Sequence, residues 1–122
     1  MNNLFDLYRQ GLELFREHRF WEAHEKWEEF WQQVKASKNL ANKSDLVKGI
    51  IQISAAFHKI YKQKNIEGFR KIIHNLKKYL KNYPQILFYL ELFSNDPDII
   101  YTRKDLFHNL ITQLEKIQIW KE

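Results

Sequence analysis

The chain has 122 residues, 44% of them apolar and 16% aromatic, with a formal net charge of +5 and no cysteine. That length suits one domain of ~100–150 residues, large enough to bury roughly two-thirds of its chain surface without covalent staples. The missing cysteines exclude disulfides, thiolate zinc sites and cysteine nucleophiles, and they fit a reducing compartment.

Only Gly11, Gly49, Gly68, Pro84 and Pro97 interrupt a chain rich in Leu, Ile, Lys and Glu, which predicts helix throughout. The first helix runs from about Asn3 to Arg16, with Leu4, Tyr8, Leu12 and Phe15 at three- and four-residue steps. A tight turn at Glu17-His18-Arg19 leads to a second helix, about Phe20 to Lys35, whose buried stripe is Phe20, Ala23, Trp27, Phe30, Trp31 and Val34. Ala36 to Lys43 reads as a polar loop, and Ser44 as the N-cap of a third helix from about Asp45 to Lys62. That helix is apolar almost all round, from Leu46 to Ile60, which places it at the centre of a bundle. Asn65 caps a fourth helix, about Ile66 to Asn82, with Phe69, Ile72, Ile73, Leu76 and Leu80 inward, and Tyr83-Pro84 ends it.

Gln85 to Phe93 forms a short helix, and Ser94-Asn95-Asp96-Pro97-Asp98 is the clearest turn in the chain. Ile99-Ile100-Tyr101 is too short to build a sheet. Thr102 can cap a last helix to about Ile117, with Leu106, Leu110, Leu114 and Ile117 inward. The fold class is therefore all-α: one compact bundle of about five to six helices over residues 1–122. Its N-terminus lacks the basic start and apolar run of a signal peptide, and no stretch approaches the ~18 apolar residues of a membrane span, so the expected setting is the cytoplasm without membrane contact.

Chemistry concentrates at the start of the second helix. His24 and Glu28 stand at i, i+4 on the edge of the apolar face, bracketed by Trp21 and Trp31, where another helix should pack. Two readings of the pair stay open. It is a hydrogen-bonded packing element against the third helix, or part of a site for a divalent metal or small ligand. In the second case Glu25 adds a ligand or a base, and Gln52 and His58 are the polar candidates on the third helix. Gln52, beside the small residues Gly49 and Ala56, is the expected hydrogen-bond partner of the pair. The chain has no Gly-rich phosphate loop and no serine elbow. Catalysis would have to come from the His24 site, with Glu25 and Glu28 as acid and base, so the chain reads as a non-enzyme.

Ala23-His24-Glu25-x-x-Glu28-x-x-Trp31 resembles the H-x-x-x-E-x-x-W/Y marker of the family called domain of unknown function 309. Gly49 to His58 and Asn65-Ile66-Glu67-Gly68 are similar to that family's second block, and the likeness covers about residues 5–82. The resemblance implies a compact helical fold, a suggestion of metal at His24 and Glu28, and no activity. The C-terminal helices, about residues 85–120, rest on periodicity alone.

Two further features bear on partners. Leu7, Gly11, Leu14, Phe20, Ala23, Trp27 and Phe30 resemble one tetratricopeptide-type hairpin in spacing. A step of 34 residues, the repeat length of that class, finds no second copy, so the reading is a single hairpin, with a protein partner or a homo-oligomer as the alternative function. Charge is uneven: residues 1–31 carry seven acids and four bases, residues 32–82 twelve bases and two acids, and residues 83–122 six acids and four bases. Arg70, His74, Lys77 and Lys81 fall within ~60° on the fourth helix, which makes nucleic acid or another anion the second alternative. An exposed, solvated face is the simpler account of that stripe.

Overall fold

The computed structural model describes residues 3–119. Helix α1 (Asn3–Arg16) and helix α2 (Phe20–Ala36) form an antiparallel hairpin closed by Glu17, His18 and Arg19. His18 takes the left-handed conformation, φ 65°. Its N–H donates to the Phe15 carbonyl at 3.0 Å and the Arg19 N–H to the Leu14 carbonyl at 2.9 Å, the double bond pattern that ends many helices. The position usually falls to glycine; here an imidazole occupies it.

A 3-10 turn (Ala41–Lys43) runs straight into α3 (Ser44–Gln63). Ser44 is therefore already helical, and the side-chain cap expected there is not formed. Helix α3 packs against both α2 and α4 (Ile66–Leu76) and buries Val47, Ile50, Ile53, Ala56, Phe57 and Ile60. The Phe57 ring meets Phe15 of α1, Phe20 of α2 and Phe69 of α4. It also meets Phe93 of α5 (Pro84–Asn95) and Phe107 of α7 (Lys104–Glu115). Such pairs contribute about 0.5–1.5 kcal/mol each beyond burial, so one ring ties five helices together.

Asn65 caps α4 as expected, its Oδ1 accepting from the Gly68 N–H at 2.7 Å. The helix is shorter than its apolar pattern predicts. It ends at Leu76, and a 3-10 turn (Lys77–Tyr79) swings Leu80 into the core. The reason lies across the interface: a Cβ on Gly49 would come 2.9 Å from Tyr79 Cβ and 3.1 Å from Leu80 Cγ. Gly49 thus opens α3 toward the end of α4 and not toward α2.

Pro84 starts α5 at its first turn, where a missing N–H costs nothing. A single-turn helix α6 (Ile99–Thr102) follows, so the three residues too short for a strand are helical, and Thr102 closes α6 without capping α7. The described residues contain seven α-helices, more than the five to six expected, and no strand. They share one buried core. Among them no helix is long and apolar enough to cross a membrane.

Candidate functional site

The hairpin fixes where the motif side chains go. Ala23 and Trp27 are fully buried between α1 and α2, and Trp27 Nε1 donates to the Tyr8 carbonyl at 3.1 Å. Gly11 lies directly beneath that indole. Trp27 is thus a core residue. On α1, Tyr8 adds a second tie, its hydroxyl donating to the Leu114 carbonyl at 2.6 Å and joining α1 to α7. Burial drives the Tyr8 pKa far above its ordinary value, so the hydroxyl remains a donor. Nothing in the spacing of the sequence pointed to that long-range bond.

Trp21 and His24 sit one turn apart at the edge of this core. The indole, half exposed, lies flat on the imidazole with ring centres 4.9 Å apart and planes 4° from parallel. His58 of α3 completes the group, its ring centre 5.4 Å from that of Trp21. His24 Nδ1 is 3.8 Å from Glu28 Oε1, an ion-pair distance too long for a hydrogen bond. The Nδ1 atoms of His24 and His58 are both buried with no protein hydrogen-bond partner, as is Trp31 Nε1. Lys35 lies over the Trp31 ring, 3.9 Å from its centre. Trp21, Ala55, His58, Lys59 and Gln63 border a shelf of about 430 Å³.

The sequence-derived candidates divide accordingly. His24, Trp21 and His58 come together, while Glu28 stays near His24 but remains more than half exposed. Glu25 is on the exposed face. Gln52 is expected to reach the His24–Glu28 pair directly or through one water; the direct bond to His24 Nδ1 is not made, and the small residue beside Gln52, Gly49, faces Tyr79 and Leu80. Ser54, the other polar residue expected to need a partner, donates to the Ile51 carbonyl at 2.7 Å. A divalent metal would need at least a third protein ligand for a closed site. Among the described residues no three His, Cys, Asp or Glu side chains are grouped to hold one.

The basic stripe is also reshaped by its neighbours. Arg70 Nε donates to the Ser94 carbonyl at 2.9 Å, near the C-terminal end of α5, and Lys77 pairs with Glu91 at 2.7 Å. His74 and Lys81 are exposed. Half of the expected stripe therefore ties α4 and the turn after it to α5, and the other half is exposed.

Two imidazoles titrate below their ordinary value. Burial lowers the His18 pKa, with Lys104 and Lys62 adding to it; burial likewise lowers His58, with Lys62, Lys59 and His24 adding. A histidine whose folded pKa is depressed binds fewer protons than in the unfolded chain. Its stabilising share is complete above the unfolded value of 6.5 and is lost as pH falls from there through the lower folded value. The melting temperature is expected to fall between about pH 7.5 and pH 5, with a shallower slope in the His18→Gln, His58→Gln double variant. A flat profile for the unaltered protein in that window would contradict the assignment.

The family model for domain of unknown function 309 matches residues 8–72, more than half of the chain, spanning the hairpin, α3 and most of α4. No match emerged among curated proteins or among solved structures.

Proposed function

The chain belongs to the domain of unknown function 309 family, and from that premise we propose that it is a non-catalytic binding protein whose Trp21–His24–His58 group receives a small uncharged ligand. One observation carries the reading: imidazoles from two different helices each pack on one half-exposed indole, and each has a ring nitrogen that no protein group satisfies. Buried polar atoms are paired in folded proteins as a rule, so orphaned ones mark a place where something else supplies the bond. Trp21 offers an apolar face already immobilised by its stack on His24, which reduces the ordering cost of binding. Lys59 and Gln63 give the shelf a polar margin, and Glu28 is placed to steady the His24 ring. The two Nδ1 atoms are sealed from solvent, so a ligand that bonds to them parts the side chains at the ring edges as it seats and keeps the Trp21–His24 stack.

A fragment screen by ligand-observed NMR tests this, with the Trp21 indole resonance and tryptophan fluorescence as reporters. Hits are expected to shift Trp21 and the His58 ring and to lose binding in Trp21→Ala, with the fold intact. Zinc added to untagged protein separates the metal alternative. Stoichiometric uptake with a raised melting temperature, abolished in His24→Ala, would replace the small-ligand reading. Fragments that ignore the shelf altogether would leave the cluster a packing element only.

A further inference from the structure

We propose that a second, separate pocket, where the α1–α2 turn meets α3, α6 and α7, binds a small planar aromatic carboxylate. The pocket has a volume of about 340 Å³ and is lined by His18, Tyr61, Ile100, Tyr101, Lys104 and Phe107. That volume lies at the lower end of the ~300–1,000 Å³ range of small-molecule sites. Four of its six lining residues carry flat rings, and they are mutually braced. The His18 ring centre is 4.8 Å from Tyr61 and 4.9 Å from Phe107, and the Tyr61 and Tyr101 rings are 5.4 Å apart.

Reciprocal hydrogen bonds hold the walls in place. Tyr61 Oη donates to the Ile100 carbonyl at 3.0 Å, and Tyr101 Oη donates to the Ile60 carbonyl at 3.2 Å. Both hydroxyl protons are thereby committed to the backbone, and burial pushes the Tyr61 pKa up to about 12. Both rings line the cavity, and Tyr61 carries no phenolate charge at neutral pH. His18 reaches the pocket from a left-handed backbone position that side-chain-bearing residues rarely adopt. The turn would be easier to build with glycine, so a side chain kept there is a sign that its ring is used.

Charge selects the class of ligand. A cage of aromatic rings commonly holds a cation, but here none of the lining residues is acidic and one is a lysine. Lys64 already sits over the Tyr101 ring, 5.3 Å from its centre, and Lys62 acts on the His18 ring with Lys104. A cation would meet three like charges. An anion with a flat apolar body meets stacking faces for the body and the Lys104 ammonium for its carboxylate. The site shares no lining residue with the Trp21 shelf, so the two stand or fall independently.

The test uses the full chain, with 2-naphthoate as probe and 2-naphthalenemethanol as its uncharged counterpart, followed by backbone and side-chain NMR shifts. Saturable shifts are expected at His18, Tyr101 and Lys104 with naphthoate, and much weaker ones with the alcohol. Lys104→Ala, at an exposed position, is expected to weaken binding about fivefold, the scale of a solvent-exposed ion pair. His18→Gly suits the turn and removes one stacking face, and is expected to weaken it about three- to tenfold. Trp21→Ala should leave naphthoate binding unchanged. Shifts confined to other surfaces, equal binding of acid and alcohol, or Lys104→Ala with unaltered affinity would each overturn the proposal.

Discussion

Trp27→Ala is expected to cost about 3–5 kcal/mol in urea unfolding, enough to leave the chain largely unfolded if its stability lies at the low end of the usual ~5–15 kcal/mol. The Trp27 indole is fully buried. It stacks on Tyr8 with ring centres 5.9 Å apart, leans on Phe15 at 5.7 Å, and donates its N–H to the Tyr8 carbonyl. Alanine removes all of this and leaves a cavity between two helices that Ala23 and Gly11 hold close together. Trp27→Phe restores most of the volume but not the donor, and should recover more than half of the loss. Trp21→Ala is the contrast. Its side chain is half exposed, so its removal is expected to change stability by less than about 1 kcal/mol. Equal losses at Trp21 and Trp27 would mean that the division between a structural and a ligand-facing tryptophan is wrong.

That division is legible in the spacing, which puts Trp27 in the buried stripe of the second helix and Trp21 at its edge. Helical periodicity placed the hairpin boundaries within a residue of those observed, because the apolar stripe of each helix is dictated by its own sequence and meets a single partner face. It also brought His24 and Trp21 to the edge of that stripe, where they are found stacked. What one helix cannot disclose is which neighbour arrives at the edge. Gln52 and His58 are both polar interruptions on the third helix, and the His58 ring packs on Trp21 while no direct bond joins Gln52 to His24 Nδ1. The choice was made by Gly49, whose open face receives Tyr79 and Leu80 and so orients α3 around its axis. The same event shortened α4 relative to its pattern. Local propensity favours continuing the helix to Asn82, but burying Leu80 against Gly49 needs the tighter turn. The caps expected at Ser44 and Thr102 failed for a related reason: each lies beside another short helical turn, so neither marks a helix start. The pocket around His18 draws on residues from 18 to 107 in the chain, and no local pattern spans that distance.

Gly11→Ala should destabilise the protein by about 3 kcal/mol, against the usual sign of that exchange. In the interior of an exposed helix alanine is favoured over glycine by about 1 kcal/mol, because glycine loses more backbone freedom on folding. Gly11 has no positive φ, so its backbone suits any residue. The obstacle is space: an added Cβ would lie 2.8 Å from Trp27 Cε2 and closer still to Nε1 and Cδ1. The indole cannot retreat, since Tyr8 and Phe15 pack against it and its N–H is bonded to the Tyr8 carbonyl. Methyl insertion must therefore push α1 away from α2, which loosens the turn that carries His18 as well as the stack of Trp21 on His24. A double-mutant cycle isolates the cause. With Trp27→Phe in place the pyrrole edge is gone, and the cost of Gly11→Ala should shrink by more than about 1 kcal/mol, the coupling expected of side chains in direct contact. Additive losses would show that Gly11 serves some purpose other than admitting the Trp27 ring.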